Sequence, residues 1–160
     1  VVGYTFENQY APRNSLYEKL SQVLRMQNPA NAKDNVAAAR NALQPWKGFL
    51  YYLIKGLEKL PPTPGKVYRG VSFASQAARD EMAASYKVER LIEWFGFSSS
   101  STKYSAALGF AQNKGPHGIL FEIKLNFGRD VEAYSVFPDE KELLMLPNTS
   151  LFVHSHRFDS

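Results

Sequence analysis

The stretch Leu57-Glu58-Lys59-Leu60-Pro61-Pro62-Thr63-Pro64-Gly65-Lys66-Val67-Tyr68-Arg69-Gly70-Val71 divides the chain into two textures. Ahead of it, residues 12–60 read as helices. Leu16, Leu20, Val23 and Leu24 recur at helical spacing after a candidate cap at Asn14 or Ser15. Val36, Ala39, Arg40 and Leu43 continue the pattern more weakly. Trp46, Phe49, Leu50, Leu53, Ile54, Leu57 and Leu60 then form a broad helical stripe. The proline cluster ends that helix, because proline has no amide proton and disfavours helix in the residue before it.

Beyond the prolines the pattern changes to short strands with helices between them. Residues 66–71 read as a strand, and Ser75 can cap a helix running to about residue 88. Residues 92–98 form a candidate strand, and Ser101 or Thr102 can cap a helix over 104–112. The turn Gly115-Pro116-His117-Gly118 leads into a strand at 119–125, alternating from Phe121 onward. Residues 131–134, 142–146 and 150–154 are further short strands. Helices followed by a mainly antiparallel β half with helical inserts define an α+β class.

With 160 residues and 18.1 kDa the chain suits a single domain, expected as a helical lobe over 1–60 and a β-rich core over 66–160. Val1-Val2-Gly3 in place of an initiator Met predicts a domain excised or processed from a larger protein. The most apolar window, residues 49–54, lies between Lys47 and Lys55 and falls far short of the roughly 20 residues of a membrane span. Zero cysteines exclude disulfides, thiolate catalysis and cysteine-ligated metal. The net charge of +4 suits an anionic ligand such as a dinucleotide. Because Lys and Arg are scattered, no specific nucleic-acid contact is expected. His154-Ser155-His156 reads as a surface pair at the chain end, and no metal is expected.

Three features can carry chemistry. Arg69, in the middle of the apolar strand Val67-Tyr68-Arg69-Gly70-Val71, needs an anion or a carboxylate unless it snorkels at the strand edge. Gly70 beside it lets a ligand approach the backbone. In Phe97-Ser98-Ser99-Ser100-Ser101-Thr102, alternation sends Ser99 and Ser101 to one face, where hydroxyls can orient a carboxylate or a ribose; a loop with a helix cap explains the same residues. In Phe137-Pro138-Asp139-Glu140-Lys141-Glu142-Leu143-Leu144, an extended backbone would put Glu140 and Glu142 on one face, roughly 6.5–7 Å apart at Cα. Neighbouring carboxylates of this kind serve chemistry at an anomeric carbon, and the competing reading is a solvated charged turn.

Taken in chain order, the Arg-Gly pair, the Ser-x-Ser strand end and the Glu-x-Glu resemble the arginine–serine–glutamate class of mono-ADP-ribosyltransferases, which includes eukaryotic arginine-specific enzymes and bacterial toxins and effectors. The likeness runs over residues 50–153. Ser100 stands where the class more often has Thr, and the disulfide cysteines of the vertebrate cell-surface members are missing. The second departure favours a secreted toxin or effector acting in a host cytosol, or an intracellular domain of a larger protein.

The resemblance implies an ADP-ribosyltransferase fold, with a helical lobe beside a β-sandwich core and an NAD cleft. NAD is then the substrate, no metal is needed, and the chain is expected to be monomeric. Arg69 would hold the NAD diphosphate, the Gly70 backbone the nicotinamide amide, and Phe110 the nicotinamide ring; an ordinary core position is the other reading of Phe110. Ser99 would steady Glu142, with Ser101 supporting the site. Glu142 would bond the ribose 2′-hydroxyl and stabilise the oxocarbenium-like state. Glu140 would orient and help deprotonate the arginine of a target protein, and Phe137 would touch that target. An NAD glycohydrolase on the same fold and a non-catalytic NAD- or partner-binding module are the alternatives.

Overall fold

A computed structural model describes residues 16–28 and 35–157, so the candidate caps Asn14 and Ser15 lie outside the described residues. Helices α1 (Leu16–Arg25), α2 (Val36–Leu43) and α3 (Lys47–Glu58) form the helical half, with a one-turn 3-10 segment, Gln44–Trp46, leading into α3. The Asn35 side chain caps α2 by accepting the Ala38 N–H at 3.0 Å. The Gln27 amide donates to the carbonyls of Val23 and Ala39, at 3.1 and 2.8 Å, and so ties α1 to α2.

The helical stripe buries what the sequence assigns to it. Leu20 and Leu24 of α1 and Leu50, Leu53 and Leu57 of α3 pack with Phe97, Val131 and Leu144 of the β half. Burial of each such side chain contributes about 1.5–3 kcal/mol, so this seam holds the helices against the strands that carry the site. At its edge, the Arg129 guanidinium donates to the Leu60 carbonyl at 2.8 Å.

Strand β1 (Pro62–Ser72) starts within the proline cluster, earlier than the alternation alone indicates. A register shift between Thr63 and Gly65 absorbs Pro64, since a bulge spares the ladder a missing donor. After β1 come α4 (Gln76–Ser85), β2 (Leu91–Trp94), β3 (Ser98–Ser101), α5 (Tyr104–Gln112), β4 (Gly118–Asp130), β5 (Glu142–Met145) and β6 (Thr149–Phe152). As expected, Ser75 caps α4, accepting the Ala78 N–H at 3.3 Å. For α5 the capping residue is Lys103, without a side-chain bond; the Ser101 hydroxyl instead accepts the Lys103 N–H at 2.9 Å.

Strands β1, β3, β5 and β4 pair antiparallel in that order, and β4 pairs back to β1, closing a four-stranded barrel. Val67, Ile123, Leu125, Leu143 and Met145 pack together from three of these strands. Strands β2 and β6 form a separate two-stranded sheet whose Trp94 and Leu151 border that cluster.

Three local expectations change. Residues 92–98 do not make one strand: β2 and β3 belong to different sheets, and Phe97 between them turns into the seam with the helices. The strand expected over 119–125 runs on to Asp130, because Arg129 and Asp130 pair with Leu144 and Leu143. Residues 131–134 contain a 3-10 turn, Glu132–Tyr134, started by the Asp130 carboxylate accepting the Glu132 N–H at 3.0 Å.

The close approach anticipated at Gly70 is made by the protein itself. A Cβ there would stand 1.8 Å from the Ala107 carbonyl oxygen and 2.5 Å from the Ala111 nitrogen, both in the backbone of α5. Gly118 on β4 meets the same helix, at 2.2 Å from the Ala111 carbonyl oxygen. Two glycines therefore let α5 lie directly on the β1–β4 ladder.

Candidate active site

Strands β1 and β3 pair at a single position, Tyr68 with Ser101. Arg69 follows immediately on β1, on the face it shares with Val67 and with its register partner Phe121. Its guanidinium Nη1 donates to the Ser99 carbonyl, and its Cζ lies over the Trp94 ring, 5.6 Å from the centroid. The cation that the sequence leaves without a partner is thus aimed from β1 toward β3 and flanked by an aromatic ring.

Glu142 opens β5 directly opposite Ser101, with Ser99 opposite Leu144. Antiparallel pairing gives these four residues a common face, so Ser99 is the diagonal neighbour of Glu142. Across that diagonal the Ser99 side chain faces the Glu142 carboxylate and favours its charged form. Glu142 is only 7% exposed. Burial pushes its pKa above the ordinary carboxylate range, while the Ser99 hydroxyl and the Arg69 charge pull the other way. A buried carboxylate is tolerated here because a hydroxyl and a cation face it.

The other serines of β3 serve the scaffold. Ser100 donates to the Leu143 carbonyl at 2.8 Å, and Ser101 donates to the Glu140 carbonyl at 2.5 Å. With the Thr102 N–H bonding the Lys141 carbonyl at 3.3 Å, the end of β3 fastens the backbone on which Glu140 sits.

Glu140 is not on an extended strand. Pro138–Glu140 forms a 3-10 turn, and Lys141 adopts the left-handed conformation with φ 51° and ψ 51° before β5 begins. The same-face spacing that an extended backbone would give Glu140 and Glu142 therefore does not apply. Lys141 takes this costly conformation with its ammonium on the Glu132 carboxylate, so the loop between β4 and β5 is clasped at its base. Phe137 stands in that loop, 47% exposed.

Phe110 on α5 is 45% exposed, which removes its reading as an ordinary core residue. Its neighbours Ala107 and Ala111 are the buried ones, and they face Gly70. The sequence reading missed the aromatic group around Arg69, namely Trp94, Tyr86 and Phe121. Trp94 was hidden inside what reads as a single strand over 92–98; only Gly96 marks the break. Among the described residues no group of three His, Asp or Glu side chains is placed to hold a metal ion, and no helix is long and apolar enough to cross a membrane.

The sequence model of the family described as NAD:arginine ADP-ribosyltransferase matches residues 2–159. The chain belongs to that family. Mav of Mycobacterium avium (strain 104), which carries the name of an NAD(+)–arginine ADP-ribosyltransferase, is 34% identical over 109 residues, covering 67% of this chain and 12% of that protein. Among solved structures, ADP-ribosyltransferase HopU1 of Pseudomonas syringae pv. Tomato DC3000 superposes with a TM-score of 0.67 at 22% identity, over 92% of this chain and 64% of that one. The Vis toxin, an ADP-ribosyltransferase from Vibrio splendidus, gives a TM-score of 0.61 at 22% identity, over 98% of this chain and 71% of that one. The α+β architecture is therefore the ADP-ribosyltransferase fold. The chain spans about an eighth of Mav and about two thirds of the structures.

Proposed function

We propose that the chain transfers ADP-ribose from NAD to an arginine side chain of a target protein, releasing nicotinamide. The observation that carries this is the convergence on one serine: the Ser99 side chain faces the Glu142 carboxylate across the β3–β5 ladder while the Ser99 carbonyl takes the Arg69 guanidinium. An anion-binding group and a buried carboxylate are thereby fixed relative to each other, as a substrate with a diphosphate at one end and a reacting ribose at the other requires.

In this reading Arg69 binds the NAD diphosphate, the Gly70 backbone and the exposed Phe110 receive the nicotinamide, and Ser101 holds the loop base. Glu142 accepts the ribose 2′-hydroxyl and stabilises positive charge as the bond from C1′ to the nicotinamide nitrogen breaks. Nicotinamide leaves with that electron pair and becomes neutral. An acceptor guanidinium nitrogen then bonds to C1′ and loses a proton to Glu140. Phe137, exposed on the same loop, touches the target protein. The chain would act as a secreted toxin or effector in a host cytosol, in keeping with the fold it shares with the Vis toxin.

Incubation with labelled NAD and agmatine tests the reading. Wild type should label agmatine, and Glu142→Ala should not. Glu140→Gln should lose transfer while keeping much of the nicotinamide release. If wild type releases nicotinamide at the same rate with and without agmatine and labels nothing in a cell lysate, the chain is an NAD glycohydrolase. If it releases none, the non-catalytic reading holds.

A further inference from the structure

The group that holds Arg69 reaches outside the three motifs. Trp94, whose ring lies under the guanidinium, donates its indole N–H to the Tyr86 hydroxyl at 2.8 Å. Both rings also rest on Phe121: Tyr86 at 5.0 Å between centroids, tilted by 47°, and Trp94 at 5.5 Å, edge-on at 84°. Phe121 is in turn the register partner of Arg69 across the β1–β4 ladder. Three aromatic side chains, from β2, β4 and the end of α4, thus form a closed circuit with the cation lying over one of them.

Each link in the circuit removes a freedom. An indole ring can turn about two side-chain bonds; the bond to Tyr86 fixes its rotation, and the edge contact with Phe121 fixes its tilt. A long guanidinium side chain loses considerable rotamer entropy when it grips a ligand, and a ring beneath it lowers that loss by fixing it beforehand. The Tyr86 phenol is a neutral partner for the indole beside a cation, and burial raises its pKa further above neutrality.

We propose that Trp94 and Tyr86 are positioning residues for NAD binding, Trp94 setting the plane of the Arg69 guanidinium and Tyr86 locking Trp94. The assignment rests on the reading of Arg69 as the diphosphate anchor. It places a determinant of NAD affinity on the small β2–β6 sheet, outside the barrel that carries the reacting groups.

A double-mutant cycle with steady-state NAD kinetics, together with ADP-ribose as a competitive probe, tests it. Trp94→Leu should raise the KM for NAD and the Ki for ADP-ribose by roughly two- to thirty-fold, the range a cation–π contact spans, with the loss falling on KM and not on kcat. Tyr86→Phe, which keeps the ring and its Phe121 contact, should move both constants in the same direction by less, and guards against a Trp94→Leu variant that fails to fold. In an Arg69→Ala background, Trp94→Leu and Tyr86→Phe should cause no further rise, because their effect passes through the guanidinium. A rise that persists undiminished in that background, or a loss confined to kcat or to thermal stability, overturns the assignment while leaving Arg69 as the anchor. An Arg69→Ala variant with unchanged KM and Ki removes the anchor reading itself and the assignment with it.

Discussion

The Ser99 side chain faces the Glu142 carboxylate across a diagonal of the β3–β5 ladder, two residue pairs along from Ser101, which lies directly opposite Glu142. The diagonal decides which serine serves the carboxylate. The hydroxyl of Ser101 is occupied by the Glu140 carbonyl and the Lys103 N–H, and Ser99 is left to face the buried acid.

Replacing Ser99 by Ala should therefore reduce both nicotinamide release and arginine labelling. A hydrogen bond to a charged group is worth about 1.5–3 kcal/mol, so the expected loss is roughly 10- to 100-fold in kcat/KM. Ser101→Ala should act differently, by loosening the loop that carries Glu140, and should weaken transfer more than release. Parallel assays of free nicotinamide and labelled agmatine would separate the two; equal losses in both variants would contradict the division of roles.

The buried Glu142 should cost stability when ionised. Its folded-state pKa lies above the ordinary carboxylate value, so the native state holds its proton to higher pH than the unfolded chain does. The associated stability is present below the unfolded pKa and is lost as pH rises through the folded one. Glu142→Gln should accordingly melt at a higher temperature than wild type at pH 7, the gap narrowing as the pH falls toward the ordinary carboxylate range and closing below it. A gap of the opposite sign, or one independent of pH, would contradict the burial argument.

Gly70 and Gly56 should respond in opposite directions to Ala. At Gly70 the new methyl group runs into the backbone of α5 at 1.8 Å, which neither element can yield without separating. A loss of about 3 kcal/mol or more is expected, a fall in Tm of roughly 6–12 °C for a chain of this size. Gly56 lies within α3, and a Cβ there meets nothing within 4 Å. Gly56→Ala should gain about 0.5–1 kcal/mol, as glycine in a helix costs about that much relative to Ala. Thermal melts of the two variants beside wild type check both signs.

The part of the fold that depends on local period was legible in the sequence. The leucine stripe of α3 and the alternation from Phe121 each bury the faces they predict. What depends on long-range pairing was not. Nothing between Leu91 and Ser101 except Gly96 signals that the chain leaves one sheet and enters another. The sequence also could not show that Trp94 lies over Arg69, 25 positions earlier. Lys141 is a further case: a lysine at a left-handed position carries none of the usual turn chemistry, and contacts found only in three dimensions hold it, its N–H on the Pro138 carbonyl, its carbonyl on the Thr102 N–H and its ammonium on Glu132. Arg69, Ser99 and Glu142 stood out because a cation, a hydroxyl run and an acid beside apolar strands conflict with simple burial.

Core truncation away from the site should separate stability from chemistry. Leu57 is fully buried between α3 and the β half, and Leu57→Ala should destabilise by about 2–5 kcal/mol. The fraction that remains folded at low temperature should keep the KM for NAD of wild type. Denaturant unfolding and kinetics at 10 °C on the same preparation give both quantities, and a raised KM in the folded fraction would show that the seam reaches the site.

In the proposed mechanism Glu142 stabilises the charge formed as nicotinamide leaves, and the rate of nicotinamide release from NAD tests that role most directly. Glu142→Gln keeps the shape and removes the charge. Its release rate at saturating NAD should fall by at least roughly 100-fold, with NAD still bound and the Tm not lowered. Release within a few-fold of wild type from the folded Glu142→Gln variant would contradict the account.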